Sequence, residues 1–237
     1  KTGDQIRTDT LQVSPTSENY LNPFTKDMKN VFEDLLFYVK EYEPDVVGMS
    51  ITEPMFVFGM ELLNHIRNHV DFIIVGGAFV TLCPDRVISE SSVDAICIGE
   101  GERPLVKLCR SIEKNNIDYN VDNLWFNVDG KVVKNNISPV RQINDVPFQD
   151  WSSWTIPPRS LKPMAGEINT TALVELSRGC PFKCSFCANS FLNTEFHGNY
   201  RERDVSTFID EVKYLRDTYN VSFIYISDET ILTTSDK

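Results

Sequence analysis

The chain has 237 residues, of which 41% are hydrophobic and 24% are charged, as in an ordinary globular protein. Its 23 basic and 34 acidic residues give a formal net charge of −11. An acidic surface repels phosphate backbones, so we expect no nucleic-acid partner. We also expect no membrane span and no signal peptide. Six cysteines in a chain of this length fit a reducing compartment, which predicts a cytoplasmic protein.

Patterns of strands and helices alternate over residues 1–120. The predicted elements are, in chain order, a polar strand at 4–13, a helix capped by Thr25, a strand at 45–50, a helix at 55–68, a strand at 72–75, a short helix after Pro84, a strand at 94–98 and a helix from about Pro104. Short, continuously apolar strands separated by helices indicate a parallel sheet that is covered on both faces. The predicted fold class is therefore α/β, with a doubly wound parallel sheet.

In such a sheet the ligand lies beyond the carboxyl ends of the strands. These ends are Ser50-Ile-Thr52, Gly76-Gly77 and Gly99-Glu-Gly101. All three are small or polar, as a backbone that approaches a large flat ligand requires. The alternative is that the glycines only form the tight strand-to-helix turns of any doubly wound domain.

Residues 121–170 show a different pattern. Asp129-Gly130 separates two short apolar runs, which predicts a β-hairpin. Five prolines fall between residues 137 and 170, so we interpret this segment as a linker. The aromatic residues within 146–151 are expected to pin the linker to one of the domains, the alternative being that they contact substrate.

Residues 180–187 carry three thiols in the pattern C-x3-C-x2-C, directly after a strand-like segment, Thr171–Leu176. Thiolates are the usual ligands of iron–sulfur clusters, and a four-iron cluster normally takes four of them. Three cysteines would leave one iron free to bind a group that is not protein. The alternative is a structural zinc site that takes His197 as its fourth ligand. Two other cysteines, Cys97 and Cys109, are expected to be buried and inert.

After this loop, Asp204 is placed to cap a helix that runs through Tyr219, and a second strand at 222–226 ends at Ser227-Asp-Glu229. A strand, a cysteine loop, a helix and a strand form the first βαβ unit of a partial (β/α) barrel over residues 171–237. Arg201 and Arg203 precede this helix and are expected to lie on the surface, the alternative being that they reach a carboxylate. Because a barrel needs further repeats to close, we expect the chain to be a piece of a longer protein, truncated at both ends.

The cysteine loop, with the aromatic Phe186 before its last cysteine, resembles that of the radical S-adenosylmethionine enzymes. The resemblance implies that Cys180, Cys184 and Cys187 bind three irons of a four-iron four-sulfur cluster, and that S-adenosylmethionine chelates the fourth. It also implies that Phe186, Asp228 and Glu229 contact S-adenosylmethionine, the two acidic residues at its amino group. The alternative for these two is a solvated turn. An electron donor such as flavodoxin or ferredoxin would reduce the cluster, and a 5′-deoxyadenosyl radical would result.

The first domain resembles the cobalamin-binding domain that precedes the barrel in one class of these enzymes. The matching segments are Pro44–Ser50, Val75–Gly77, Thr81–Pro84 and Ile98–Glu102. The resemblance implies that the corrin and its nucleotide tail are lined by Ser50, Thr52, Gly76, Gly77, Gly99, Glu100 and Gly101. The first strand of that domain is missing, and no Asp-x-His-x-x-Gly loop is present, so cobalamin would lack a protein imidazole ligand.

Together the two resemblances imply a cobalamin-dependent radical enzyme that performs methyl transfer or cyclisation on an unactivated carbon of a small molecule. No catalytic side chain is identified. Two alternatives stay open, namely a radical enzyme whose first domain is a relic that binds no cobalamin, and a non-catalytic module with zinc at the thiols.

Overall fold

The computed structural model describes residues 31–138, 143–152, 160–164, 167–195 and 200–231. These residues form two compact units, one that includes residues 31–138 and one that includes the described residues from 143 onward. The strand predicted at 4–13, the capping residue Thr25 and the zinc-ligand candidate His197 lie outside the described residues.

The first unit contains a five-stranded sheet in the order β1-β2-β3-β4-β5. Its strands are β1 (Val46–Ser50), β2 (Phe72–Gly76), β3 (Ala95–Cys97), β4 (Leu124–Val128) and β5 (Lys131–Lys134). The first three strands are parallel, and the β4–β5 hairpin adds to β3 in the antiparallel direction. The α/β class is confirmed. The hairpin is confirmed as an element, but its pairing extends the sheet of the first unit, which its sequence does not indicate.

Helices cover both faces of this sheet. They are α1 (Val31–Tyr42), α2 (Phe56–Ile66), α3 (Ala78–Leu82), α4 (Pro84–Ile88) and α5 (Glu102–Glu113), with short 3-10 turns at Glu53–Met55 and Arg67–His69. The buried side chains of β2 alternate between two clusters. Ile73 and Val75 pack with residues of α1 to α4, whereas Phe72 and Ile74 pack with Leu108 of α5. This alternation explains why β2 is continuously apolar.

The second unit is built on a three-stranded sheet in the order β10-β7-β6. Its elements are β6 (Ser160–Met164), β7 (Glu167–Val174), β8 (Ser177–Arg178), α6 (Ala188–Glu195), β9 (Arg201–Glu202), α7 (Val205–Tyr219) and β10 (Phe223–Ile226). Strand β7 is parallel to β10 and antiparallel to β6. The predicted succession of strand, cysteine loop, helix and parallel strand is therefore present. Strand β6 lies within the segment interpreted as a linker, and α6 has no counterpart in the sequence prediction.

Helix α7 covers one face of this second sheet. It begins after Asp204 and ends at Asn220, which has the left-handed conformation typical of a helix C-terminus (φ 55°). Phe208 and Leu215 of this helix pack on the buried side chains of β7 and on Trp151. The Trp151 ring lies 5.2 Å from that of Tyr219, and its backbone N–H donates to the Tyr219 hydroxyl at 3.1 Å. The predicted pinning of this aromatic segment is thus confirmed, and the second unit is its partner.

Candidate functional site

The first candidate site is the carboxyl edge of the parallel strands in the first unit. In the β1–β2 register, Ser50 lies opposite Gly76. The chain after β1 stays close to the chain after β2, because Ile51 N–H donates to the Gly76 carbonyl at 3.0 Å and Phe79 N–H donates to the Ile51 carbonyl at 3.3 Å. Ser50, Gly76 and Gly77 therefore lie at one edge of the sheet, as predicted, and Ser50 is exposed there.

Gly77 has the most restricted environment at this edge. Its φ of 101° and ψ of −176° belong to a region that is essentially limited to glycine. A Cβ atom at this position would lie 2.6 Å from the Ile51 carbonyl oxygen and 2.8 Å from the Ile51 nitrogen. At the neighbouring Gly76, a Cβ atom would meet Cys97 at an ordinary 3.7 Å. The two glycines thus have different roles, since Gly77 is required by the backbone and Gly76 is not.

Thr81 of α3 joins the turns that follow β2 and β3. Its hydroxyl donates to the Gly77 carbonyl at 3.1 Å and accepts from the Gly99 N–H at 2.9 Å. Gly99 itself has a φ of 75°. In the sequence, Thr81 stands out only as the first residue of the segment Thr81–Pro84. The position of a hydroxyl residue four places after the glycine turn, within the short helix α3, is the only signal in the sequence for this bridge.

The remaining predicted residues flank these turns. Thr52 is exposed, and its carbonyl accepts from Met55 N–H at 3.0 Å. Gly101 precedes α5, where an added Cβ atom would lie 3.2 Å from Leu105 Cδ1. Glu100 lines a polar cavity of about 140 Å³ together with residues of α5, including Arg103. This volume is well below the roughly 300 Å³ at which ordinary ligand pockets begin.

Cys97 is the last residue of β3 and lies directly beside this edge. Its thiol is buried and donates to the Glu100 carbonyl at 3.9 Å. Burial raises the pKa of Cys97 from 9.0 to about 12, and the nearby Glu102 carboxylate adds to the increase. The thiol therefore stays protonated at neutral pH, as expected for a buried and inert cysteine. Cys109 is half-buried, and burial also raises its pKa.

The histidines of the first unit lie away from this edge. The His65 ring packs on Phe32 with centroids 5.5 Å apart, and its Nε2 is 3.7 Å from Glu33 of α1. His69 follows α2 and precedes the amino end of β2 by three residues. Among the described residues, neither histidine is placed to ligate a metal above the glycine turns.

The second candidate site is the cysteine loop that follows β7 and β8. Gly179 has a φ of 79°, which turns the chain immediately before Cys180. Cys180 and Cys187 are half-buried, Cys184 is exposed, and all three are free thiols. The neighbouring Phe186 is 91% exposed.

Side chains of α6 bind the carbonyl groups of this loop. Asn193 Nδ2 donates to the Cys180 carbonyl, and Ser190 Oγ donates to the Cys184 carbonyl at 2.6 Å. The Cys187 N–H also donates to the Cys184 carbonyl at 3.1 Å. These contacts hold the backbone of the loop against α6 and leave the thiols to other partners.

Within the described residues, no three Cys, His, Asp or Glu side chains are grouped so that they would hold a metal ion. The three cysteines are thus near in sequence, but their thiols are not arranged as a finished metal site. Thiolates repel one another unless cations neutralise them, and metal sites commonly assemble together with their metal. The donor chemistry of three free thiols on one short loop fits an iron–sulfur cluster. Their role as ligands stays a prediction.

Asp228 lies after β10 and reaches the start of the cysteine loop. One carboxylate oxygen accepts from Leu176 N–H at 2.8 Å, and the other accepts from the N–H and the hydroxyl of Ser177 at 2.9 and 2.7 Å. Glu229, the second predicted acidic residue, is exposed. The contact of these two residues with S-adenosylmethionine stays a prediction. In the structure, the hydrogen-bond partners of Asp228 are Leu176 and Ser177 of the same chain.

The surface position predicted for Arg203 is wrong. Arg203 is 8% exposed and pairs with Glu211 of α7, which is 2% exposed. Arg203 also donates to the Glu175 carbonyl at 3.1 Å, and Glu211 accepts from Gln149 N–H at 3.0 Å. Through these hydrogen bonds, Gln149, which precedes the second sheet, and Glu175, which follows β7, are connected to the pair that Arg203 forms with Glu211 of α7. The sequence did not reveal it because its members are far apart in the chain and each resembles a surface residue.

The described residues thus form an α/β unit with small residues at the carboxyl edge of its parallel strands, followed in the chain by a unit that carries a cysteine loop. Residues 17–109 match the family described as B12 binding domain. The chain is 28% identical over 207 residues to an uncharacterized methyltransferase of Pyrococcus horikoshii, with 84% of this chain and 42% of the relative covered. It is also 28% identical over 203 residues to the anaerobic magnesium-protoporphyrin IX monomethyl ester cyclase of Cereibacter sphaeroides, with 83% and 32% covered.

Among solved structures, the chain is similar to the radical S-adenosylmethionine methyltransferase TsrM from Kitasatospora setae, which was solved with cobalamin and a [4Fe-4S] cluster bound. The TM-score is 0.62 at 16% identity, with 85% of this chain and 40% of that chain covered. The predicted resemblance is therefore confirmed, since the chain matches a cobalamin-binding domain over residues 17–109 and is similar in fold to a radical S-adenosylmethionine methyltransferase. The chain spans less than half the length of each of these relatives.

No helix in the described part of the chain has the length and apolar character needed to cross a membrane.

Proposed function

We propose that this chain provides the cobalamin-binding domain and the start of the radical domain of a cobalamin-dependent radical S-adenosylmethionine enzyme. The observation that carries the proposal is a combination within one chain. A segment that matches the B12 binding domain is followed by three free cysteines in the pattern C-x3-C-x2-C, next to a strand that pairs in parallel with β10. Either feature alone would be compatible with several kinds of protein. Their combination in one chain favours a cobalamin-dependent radical S-adenosylmethionine enzyme.

In the second unit, Cys180, Cys184 and Cys187 would hold three irons of a four-iron four-sulfur cluster, and S-adenosylmethionine would take the fourth. A cluster held by these thiols would supply one-electron chemistry to bound S-adenosylmethionine. The chain's own contribution is to place the three thiols on one loop whose carbonyl groups are already bound by α6. The exposed Phe186 ring offers an apolar surface beside the third thiol. A flavodoxin or ferredoxin would deliver the electron.

In the first unit, the small residues at the carboxyl edge would allow a corrinoid to approach the backbone closely. A Cβ atom at Gly76 would make only ordinary contact with Cys97, at 3.7 Å, and Ser50 beside it is exposed. His65 and His69 are directed to other parts of the unit, so cobalt would carry no imidazole from them. A cobalamin held at this edge would supply the methyl group or take part in the rearrangement that the proposed reaction needs.

Anaerobic reconstitution of the chain tests both halves of the proposal. The wild-type chain is expected to bind about four irons and about four sulfides and to become brown. It is also expected to take up one corrinoid, measured by its visible absorption after gel filtration. A variant with Cys180, Cys184 and Cys187 replaced by alanine should lose the iron and sulfide and should keep the corrinoid, which controls for folding.

The alternatives have different outcomes in the same experiment. One zinc per chain without sulfide would identify a zinc module and would refute the radical assignment. A chain that binds the cluster and takes up no corrinoid would have a first unit that no longer binds cobalamin. Methyl transfer and cyclisation are then separated by the products of the complete enzyme, since only the first adds a carbon to the small-molecule substrate.

A further inference from the structure

We infer that Asp228 is a positioning residue, which fixes the start of the cysteine loop so that the loop can receive its cluster. This inference rests on the proposed function. It differs from the role that the resemblance gives to Asp228, which is direct contact with the amino group of S-adenosylmethionine.

The hydrogen bonds of Asp228 are the first argument. Its two carboxylate oxygens accept three hydrogen bonds, all between 2.7 and 2.9 Å, from Leu176 N–H, Ser177 N–H and Ser177 Oγ. A carboxylate has about four lone-pair sites. Three of them are used by the loop, which leaves little capacity for the three N–H donors of a bound ammonium group.

The position of these donors is the second argument. Ser177 begins β8, and Cys180 follows three residues later, after the turn at Gly179. Asp228 follows β10, which lies beside β7 in the sheet. The carboxylate therefore connects the turns after two adjacent parallel strands, and the direction in which the chain leaves β7 depends on it. On the far side of the loop, Asn193 and Ser190 bind the carbonyls of Cys180 and Cys184.

The neighbouring Glu229 provides a matched control. It carries the same charge one residue later, and it is exposed. A change at Glu229 removes a carboxylate from the same turn without removing the hydrogen bonds to Leu176 and Ser177. If the negative charge alone matters, the two positions will respond alike, whereas the positioning role predicts that only Asp228 matters for the loop.

The experiment compares wild type, Asp228→Asn, Ser177→Ala and Glu229→Gln after anaerobic reconstitution with iron and sulfide, before S-adenosylmethionine is added. The first readouts are bound iron and sulfide, the electron paramagnetic resonance spectrum of the reduced cluster and the rate of iron loss to a chelator. We expect iron loss to be about tenfold faster in Asp228→Asn and about threefold faster in Ser177→Ala, because the first change disturbs all three hydrogen bonds and the second removes one. In these readouts of the cluster alone, before S-adenosylmethionine is added, Glu229→Gln should match wild type.

The affinity for S-adenosylmethionine, measured on the reconstituted chains, separates the two roles. Asp228→Asn that keeps wild-type iron loss and spectrum but loses affinity for S-adenosylmethionine would show a direct contact and would overturn the inference. Corrinoid uptake by the first unit and the far-ultraviolet circular dichroism spectrum identify a variant that fails to fold, and Ser177→Ala then carries the test. A wild-type chain that binds no cluster would refute the proposed function itself, which is a different result.

Discussion

Replacing Gly77 by alanine should disrupt the carboxyl edge of the first unit, whereas the same change at Gly76 should not. The Gly77 backbone has φ 101° and ψ −176°, where a side chain is strongly disfavoured. The added Cβ atom would also lie 2.6 Å from the Ile51 carbonyl oxygen, a separation that real Cβ atoms essentially never show. Since the two Ile51 atoms that it meets are backbone, no side-chain rotation relieves these contacts.

The size of the effect follows from these two terms. A residue other than glycine in this region of φ and ψ costs about 1–3 kcal/mol. Displacement of the Ile51 backbone weakens its hydrogen bonds to Gly76 and Phe79, each worth about 1 kcal/mol. We therefore expect Gly77→Ala to lower the free energy of unfolding of the first unit by about 2–4 kcal/mol. Gly76→Ala should change it by less than about 1 kcal/mol, because the nearest atoms to its Cβ are 3.7 Å away.

The assay is urea denaturation, read together with hydrogen exchange of the β2 amide groups, which reports on the first unit by itself. Corrinoid uptake by the two variants, measured at a concentration where both remain folded, adds a functional readout. Equal destabilisation by the two substitutions would refute the reasoning, because it would mean that glycine is needed at this edge for a reason other than the geometry at Gly77.

Three further predictions use the same chain. Because burial raises the pKa of Cys97 from 9.0 to about 12, the folded chain keeps a proton that the unfolded chain loses. Stability should therefore fall between pH 9 and about 12, by up to about 1.4 kcal/mol per pH unit, and Cys97→Ala should abolish this loss in urea titrations. Thr81→Val leaves the Gly99 N–H without its acceptor and should cost about 1–3 kcal/mol and weaken corrinoid uptake, whereas Thr81→Ser should be close to wild type. Arg203→Met should lower the free energy of unfolding by about 3–5 kcal/mol, because it leaves the buried Glu211 carboxylate without its partner. Adding Glu211→Leu should restore part of this loss. A double variant whose loss equals the sum of the two single losses would contradict this.

Hydrophobic pattern was sufficient to predict the strands and helices of the parallel part of the fold. The runs at 45–50, 72–75 and 94–98 became β1, β2 and β3 within one or two residues, because each is apolar and bounded by glycine or polar residues. Pairing was harder to predict. The hairpin at 124–134 shows only its own turn in the sequence, whereas its place beside β3 depends on Leu124 and Phe126, which pack into the core below Leu108 of α5.

The candidate sites show the same division. The glycines and cysteines of the two sites can be recognised from the sequence, because few residue types allow a positive φ or supply a thiol ligand. The side chains that hold them in place, such as Thr81, Asn193 and Arg203, are common residue types with no spacing rule. Arg203 and Glu211 resemble surface residues in the sequence, and only the fold shows that both are buried. Their importance arises from tertiary contacts over 8 to 62 residues of chain, which periodicity does not encode.

Thr81 and Asp228 have the same structural role in the two units, since each accepts hydrogen bonds from backbone N–H groups after a neighbouring strand. Parallel strands end at one edge, so their following turns lie side by side, and each turn presents backbone N–H groups that the sheet does not use. Thr81 accepts from Gly99, and Asp228 accepts from Leu176 and Ser177, so a single side chain satisfies the turn of a neighbouring strand. These three N–H groups are consequently unavailable to a ligand. A cofactor at either edge must be bound through other groups, while Thr81 and Asp228 determine the position of the backbone that it meets.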